Sequence, residues 1–139
     1  LSLIDAGLLA TDISLAALKE ARNGEYAEAK LRELPASYRS SYFIKKDGET
    51  WAINDDIRSM VMFKRLNLMA ETYPMKGLFN AVFCRNVMIY FNQESREKVV
   101  NALFRYIKPG GYLFIGHSES LGRGATSWQY IGNHAPSNM

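Results

Sequence analysis

Polar side chains that could take part in catalysis or ligand binding follow four apolar stretches of the sequence. They are Asp12, Asn67, the pair Arg85-Asn86 and the run His117-Ser118-Glu119. In open parallel α/β sheets the carboxyl ends of the strands share one edge, and ligands bind in the crevice beside it. The spacing therefore predicts that these side chains line a binding crevice.

Asp12 has two interpretations at this stage. A carboxylate after a strand can accept hydrogen bonds from the two hydroxyls of a nucleoside ribose. The same carboxylate can instead help to cap a helix that begins near Leu15, and the sequence alone leaves both roles open. A ribose acid lies about 20 residues after a glycine-rich turn. If Asp12 is such an acid, we expect the first strand and its glycine turn to be missing from this sequence.

Asn67 and Leu68 suit a nucleobase, since an amide can read the edge of an adenine while a leucine packs on its face. A lone asparagine after a strand is, however, more often a turn residue. The pair Asn67-Leu68 is therefore a weak signal on its own.

The segment FCRNVMIYF, residues 83–91, places an arginine and an asparagine inside an apolar run. Burying such groups unpaired costs a few kcal/mol or more. If the strand ends at Cys84, Arg85 and Asn86 instead lie on the rim of the crevice. Arg85 could also serve a structural role by bonding backbone carbonyls. Tyr90 could pack in the core or point its hydroxyl into the crevice.

Adjacent His117, Ser118 and Glu119 do not form a catalytic triad, because triads are assembled from separated positions. The sequence has two histidines and one cysteine, without the spacing of a metal site. We therefore predict neither a triad nor a bound metal.

The elements that must position these residues follow from hydrophobic patterning and capping signals. We expect helices over 15–23, capped by Ser14, and over 93–108, capped by Asn92 and stopped by Pro109-Gly110-Gly111. The first helix should bury Leu15, Leu18 and Ala21, and the second should bury Val99, Val100, Leu103, Phe104 and Ile107. We expect strands at 8–11, ending at Asp12, at 60–68 ending at Asn67, at 78–84 buried on both faces, and at 112–116, with a hairpin pairing 42–46 with 50–54.

This alternation of strands and helices indicates an α/β protein with a mostly parallel sheet. The 139 residues fit one domain, and no apolar run reaches the length of a membrane span. Basic residues are spread along a chain of net charge +3, so no nucleic-acid surface is predicted. A single cysteine gives weak support to a reducing, cytoplasmic location.

The segments ATDIS, LNL, FCRNVMIYF and KPGGYLFIGHSESL, in this order, resemble the CheR-type methyltransferases of bacterial chemotaxis. The resemblance covers roughly residues 8–122, and the third and fourth segments carry most of its specificity. It implies methyl transfer from S-adenosylmethionine to glutamate side chains on the cytoplasmic domains of chemoreceptors, with S-adenosylhomocysteine as the product.

By position, the resemblance implies roles for individual residues. Asp12 holds the cofactor ribose, and Asn67 and Leu68 lie at the adenine. Arg85 and Asn86 line the cofactor pocket, while Tyr90 lies near the transferred methyl group and is the candidate catalytic residue.

The implied fold is a Rossmann-like class I methyltransferase sheet with a small β-hairpin subdomain inserted at about 38–60. Relative to the family pattern, the N-terminal helical domain, the first strand with its glycine turn and an upstream catalytic arginine are missing. We therefore expect residues 1–139 to be a partial methyltransferase domain with weak cofactor binding and impaired activity. We also expect that an unpaired sheet edge could mediate self-association.

Two rival functions are open at this stage. A non-catalytic module could bind receptor tail peptides through the hairpin, without binding the cofactor. A nicotinamide-dependent oxidoreductase could use Asp12 in the same way, but it gives FCRNVMIYF no role.

Overall fold

The computed structural model describes residues 7–116, and the chain divides into two compact units, Leu1–Asn67 and Leu68–Met139. The strands are β1 (Leu8–Asp12), β2 (Glu25–Ala27), β3 (Phe43–Asp47), β4 (Thr50–Ile53), β5 (Val61–Arg65), β6 (Phe79–Cys84) and β7 (Ile107–Ile115). The α-helices are α1 (Leu15–Asn23), α2 (Glu28–Leu31), α3 (Ala36–Tyr42), α4 (Asp55–Ser59) and α5 (Gln93–Phe104), and a 3-10 turn spans Met88–Tyr90.

The first unit contains a parallel pair of strands, β1 and β5, in register from Leu8 opposite Val61 to Asp12 opposite Arg65. Helix α1 follows β1 with the predicted bounds. The Ser14 hydroxyl caps it by accepting a hydrogen bond from the Ala17 amide at 3.2 Å. The parallel pair is therefore a strand–helix unit in which the chain turns directly after Asp12.

Helix α1 ends at Gly24, whose φ of +63° is a left-handed conformation that favours glycine. Leu18 is buried as predicted, but Leu15 is 64% exposed, so the prediction that it is buried was wrong. Leu15 opens the helix just after the carboxyl end of β1, so it lies beyond the strand residues against which α1 packs.

The first unit also contains a three-stranded antiparallel sheet in the order β2–β4–β3. Strands β3 and β4 correspond to the predicted hairpin and join around Gly48, which has a φ of +47°. Strand β2 pairs with the other side of β4. This sheet therefore includes Glu25–Ala27, which precede the range of about 38–60 predicted for the inserted subdomain.

The second unit contains the parallel pair β6 and β7, connected through α5. The Asn92 side chain caps α5 by accepting a hydrogen bond from the Ser95 amide at 2.9 Å, as predicted. Val99 and Val100 on α5 are fully buried, and Leu103 is nearly so. These three side chains form the centre of the core of the unit.

Helix α5 ends at Phe104 rather than Lys108, and Pro109-Gly110-Gly111 lies within β7 instead of stopping the helix. The chain is already extended at Ile107, which is in register with Phe79. The register shifts after this pair. A Cβ on Gly111 would lie 2.8 Å from the Asn80 carbonyl oxygen, so the irregular ladder requires glycine there.

Strand β6 is not buried on both faces, contrary to the prediction. Cys84 is buried, but Phe83 is 71% exposed and stacks on Phe114 of β7, with ring centroids 4.5 Å apart. Tyr112 and Phe104 are also largely exposed. This side of the pair is therefore exposed among the described residues, and an apolar run alone does not reveal that one face of a strand is open.

Candidate functional site

Asp12 ends β1, and its side chain is exposed. The Oδ1 atom accepts a hydrogen bond from the Ser14 amide at 2.8 Å, which is part of the capping role that the sequence left open. Within residues 7–116, Oδ2 makes no hydrogen bond. The local bond therefore fixes the carboxylate and leaves one oxygen able to accept from a ligand hydroxyl.

Asn67 lies at the same end of the parallel pair as Asp12, but β5 ends at Arg65, so the prediction that Asn67 ends the strand was wrong by two residues. The Leu66 amide still donates to the Asp12 carbonyl at 3.0 Å. The backbone of the two strands is therefore held together up to the residue before Asn67, whose side chain is exposed.

Leu68 is half-buried and begins the second unit. Its carbonyl oxygen accepts a hydrogen bond from the Tyr73 hydroxyl at 2.8 Å. The Tyr106 hydroxyl in turn accepts from the Tyr73 amide at 2.9 Å and donates to the Tyr73 carbonyl at 3.1 Å. The two tyrosine rings stack with centroids 5.2 Å apart, so the segment that follows Leu68 is anchored beside α5.

Burial, together with a smaller contribution from the nearby Cys84, raises the pKa of Tyr73 to about 12, while Arg105 opposes the shift. The Tyr73 phenol is therefore protonated at neutral pH and can donate to the Leu68 carbonyl.

Strand β6 ends at Cys84, as the boundary interpretation of FCRNVMIYF predicts. Arg85 and Asn86 are exposed at its carboxyl end, next to the end of the paired strand β7 at Ile115. In the described part of the chain neither side chain makes a hydrogen bond, so the structural role for Arg85 is not observed there. Asn86 has a φ of +59°, a left-handed conformation that asparagine tolerates better than most residues.

Tyr90 is 81% exposed, which rules out the alternative that it packs in the core. Met88, two residues earlier in the same 3-10 turn, is fully buried. The turn is therefore anchored by the buried Met88 side chain and leaves the Tyr90 side chain exposed, because residues two positions apart in a 3-10 turn point in different directions.

Sequence reasoning missed Arg96, on the first turns of α5. Its Nε donates to the carbonyls of Met88 and Phe91, each at 2.9 Å, and so joins the helix to the turn that carries Tyr90. A signal was available in the sequence. An arginine four residues after an N-cap lies close to whatever turn precedes the helix, where backbone carbonyls lack helical partners.

Two surface hollows of the first unit, of about 210 and 260 Å³, lie beside the antiparallel sheet. None of the six predicted site residues lines either hollow.

Among residues 7–116 no cluster of three or more acidic, histidine or cysteine side chains could hold a metal, and no helix there could span a membrane. The predicted run His117-Ser118-Glu119 lies outside the described residues.

Comparison with known families identifies the family to which the chain belongs. A family model described as CheR methyltransferase, SAM binding domain, matches residues 2–135. The chain belongs to the CheR methyltransferase family. S-adenosylmethionine is the cofactor of this domain family, as predicted, and the nicotinamide-dependent alternative is set aside.

Individual relatives support the same family assignment. The chain is 41% identical over 124 residues to a chemotaxis protein methyltransferase of Borreliella burgdorferi, which covers 89% of the chain and 44% of the relative. It is 39% identical to chemotaxis protein methyltransferase 1 of Pseudomonas aeruginosa, covering 89% and 45% respectively. It is 36% identical to the Escherichia coli chemotaxis protein methyltransferase, covering 82% and 41%. The chain therefore spans less than half the length of these curated relatives.

Proposed function

We propose that this CheR-family chain takes part in S-adenosylmethionine-dependent O-methylation of glutamate side chains on the cytoplasmic domains of chemoreceptors. The observation that carries the proposal is that Asp12 and Arg85 follow parallel strands in a chain whose family binds this cofactor. The relatives' names, which all specify chemotaxis methyltransferases, favour this function over a non-catalytic peptide-binding module. Such a reaction takes place in the cytoplasm, which agrees with the location expected from the sequence.

The chemistry of the side chains fits the cofactor. Asp12 has an oxygen that can accept from the ribose hydroxyls while its other oxygen remains bonded to Ser14. Asn67 and Leu68 offer an amide and an aliphatic face to the adenine. Arg85 is a cation without an intramolecular partner in the described residues, which suits the cofactor carboxylate or an acidic substrate. Asn86 lies next to Arg85 after the same strand.

The proposed reaction needs neither a metal nor a base from the protein. A glutamate side chain is ionised at neutral pH, so its oxygen is already a nucleophile. When bound, the cofactor supplies a methyl group activated by a sulfonium. The residues of the chain must bind both reactants in line and exclude water, and orientation of this kind contributes several kcal/mol. Tyr90 lies beside the methyl group, where its hydroxyl donates a hydrogen bond that positions the substrate carboxylate or its ring forms a wall of the site.

We further propose that the β2–β4–β3 sheet forms a small subdomain inserted into the methyltransferase fold. Its strands pair with each other and not with β1 or β5 of the same unit. Within the sheet, the Tyr26 ring meets the Phe43 ring edge to face, with centroids 5.8 Å apart. These features support an independent small sheet that begins at Glu25.

Substitution of Asp12 by asparagine tests the proposal. Asp12→Asn keeps an oxygen for the Ser14 amide but removes the charge and one acceptor. We expect binding of S-adenosylhomocysteine to the full-length gene product to weaken about tenfold or more, as for loss of a charge-assisted hydrogen bond. The matched control is Asp47→Asn at the exposed hairpin turn, for which titration calorimetry should find no change. Equal binding by both variants would refute the role of Asp12.

Tyr90→Phe tests the chemical part of the proposal. We expect a lower rate of methyl transfer to receptor cytoplasmic fragments, with unchanged cofactor affinity, because the hydroxyl acts on the reacting groups and not on the adenosine. Transfer of labelled methyl groups and calorimetry on the same preparation measure both quantities. A normal rate in this variant would remove Tyr90 from the reaction.

Residues 1–139 cover only 41–45% of the relatives compared above, and we propose that transfer by this segment alone is slower than by a longer chain. The test compares the segment with a chimera that carries the remaining portion of the Borreliella burgdorferi relative. Similar rates would contradict the proposal.

We also propose self-association of the 139-residue segment through a strand edge, because β1 and β6 each pair on one side within residues 7–116. Light scattering should find dimers or larger species. A monomer at all concentrations would count against this proposal.

A further inference from the structure

The turn that carries Tyr90 is held by a bond from outside itself. Within the turn, the amides of Tyr90 and Phe91 donate to the carbonyls of Val87 and Met88 at 3.2 and 3.1 Å. Arg96 adds its Nε to the carbonyls of Met88 and Phe91, at 2.9 Å each. One guanidinium therefore connects the two ends of the turn.

Arg96 lies at a position on α5 that is electrostatically unfavourable for a cation. The first turns of a helix carry the positive end of its dipole, where a cation is unfavourable. Arg96 is the fourth residue of α5, and it is half-buried. The single Nε–H, shared between the two carbonyls, offsets that cost, because a hydrogen bond from a charged donor is stronger than one from a neutral donor.

Arg96 is also fixed at its own backbone. Its amide donates to the Asn92 carbonyl at 3.0 Å, and the Asn92 side chain caps the same helix. The helix in turn is anchored by the fully buried Val99 and Val100. The core of the second unit is therefore connected to the turn through Arg96 as well as through the buried Met88 side chain.

Tyr90 itself lacks such anchoring. Its side chain is 81% exposed and makes no hydrogen bond within residues 7–116, so packing does not fix the direction of the ring. Only the backbone of the turn can do so. The turn is short, and the left-handed Asn86 precedes it in a conformation that costs energy.

We propose that Arg96 is a positioning residue that holds the Tyr90 turn in the orientation needed for methyl transfer. This inference rests on the proposed role of Tyr90. It assigns to Arg96 no contact with the substrate or the cofactor. Its action depends on geometry, because Nε sits between two carbonyl oxygens that a lysine ammonium at the end of a longer flexible stem would not join in the same way.

The first experiment measures the turn directly in the full-length gene product, without any need for activity. Arg96→Gln should accelerate amide hydrogen exchange at Phe91 by about tenfold, because local opening becomes easier. The control is Arg105→Gln, directly after the last residue of the same helix, which removes the same charge and a guanidinium bond to the Glu71 carbonyl. Equal exchange at Phe91 in wild type and Arg96→Gln overturns the inference.

The second experiment measures catalysis in the same protein with a double-mutant cycle. Arg96→Gln should lower kcat by about tenfold, with the KM for S-adenosylmethionine unchanged, because the cofactor-binding residues are untouched. In a Tyr90→Phe background the same substitution should cause no further loss, since residues that act as one unit are not additive. Arg105→Gln should leave kcat unchanged.

Arg96→Lys separates geometry from charge. The variant should lower kcat as Arg96→Gln does. Full activity in the lysine variant would show that charge alone suffices and would overturn the inference, as would additive losses in the Tyr90→Phe background. A normal rate in Tyr90→Phe, together with faster Phe91 exchange in Arg96→Gln, would instead disprove the role of Tyr90. The contact of Arg96 with the Met88 and Phe91 carbonyls would then be a structural one only.

Discussion

The two parallel strand pairs of this chain position their polar end residues in different ways. In the β1–β5 pair, Asp12 is fixed by its own bond to the Ser14 amide, and Arg65 of the paired strand donates its Nε to the Ile13 carbonyl at 3.0 Å. In the β6–β7 pair, the described structure gives Arg85 and Asn86 no such bonds. Residues at the first strand end are therefore oriented locally, while the turn after the second strand end is held by a helix.

The two units also differ in their cores. In the described part of the first unit, the buried apolar side chains are Leu18, Leu31 and Leu66. In that of the second they are Tyr73, Cys84, Met88, Val99, Val100, Ala102, Leu103 and Ile107. Among the described residues, the unit with the larger set of buried apolar side chains is therefore also the one in which Arg85 and Asn86 follow a strand without side-chain hydrogen bonds.

The largest expected effect comes from a core methionine. Met88→Ala should lower the free energy of unfolding by about 2–5 kcal/mol, because it removes a fully buried side chain and leaves a cavity. Met62→Ala on β5 of the first unit is the matched control, since that side chain is 59% exposed and its loss should cost about 0.5 kcal/mol or less. Urea unfolding measures both. Equal losses would mean that the two units do not differ in packing at these positions.

A second prediction uses pH. An unfolded tyrosine loses its proton near pH 10.0, whereas folded Tyr73 keeps it to about pH 12. Between these values the unfolded state binds fewer protons, so stability falls as the pH rises, by at most about 1.4 kcal/mol per pH unit. Below the lower value this contribution is fully present.

Tyr73→Phe should remove that part of the pH dependence, as measured by urea unfolding on both sides of the lower pKa. Tyr112→Phe is the control, because its phenol is 52% exposed. An unchanged pH profile in Tyr73→Phe would contradict the assignment of the raised pKa to this buried phenol.

The smallest expected effect compares two left-handed residues, one in each unit. Gly24→Ala should cost about 2 kcal/mol, since alanine strains the φ of +63° and its Cβ would lie 2.7 Å from the Ile53 Cγ2. Asn86→Ala should cost about 1 kcal/mol, because asparagine already bears part of the strain. Thermal unfolding of the two variants ranks them, and a larger loss for Asn86→Ala would reverse the comparison.

Local signals predicted the elements that local forces decide. The Ser14 and Asn92 caps, the end of α1 at Gly24 and the end of β6 at Cys84 are all found where the sequence places them. Each depends on a side chain and backbone atoms within a few residues. The cofactor was predicted from the family resemblance, whereas the roles of the six site residues remain proposals.

Pairing between distant segments decided the rest. Pro109-Gly110-Gly111 is a helix stop by local rules, but the register of β7 with Phe79 draws it into a strand. The exposure of Phe83 depends on which face of its strand is covered after folding, and the apolar sequence is the same in either case.

The sequence by itself therefore determined the family resemblance, the order of β1, α1, the β3–β4 hairpin, β5, β6, α5 and β7, and the ends of the strands at which Asp12 and Arg85 lie. Only the tertiary structure decided that Asp12 keeps one oxygen unbonded, that Tyr90 is exposed and that Arg96 holds its turn. The physical reason is that caps and strand ends are set by neighbours along the chain. Burial and hydrogen-bond partners are set by residues that meet only after folding.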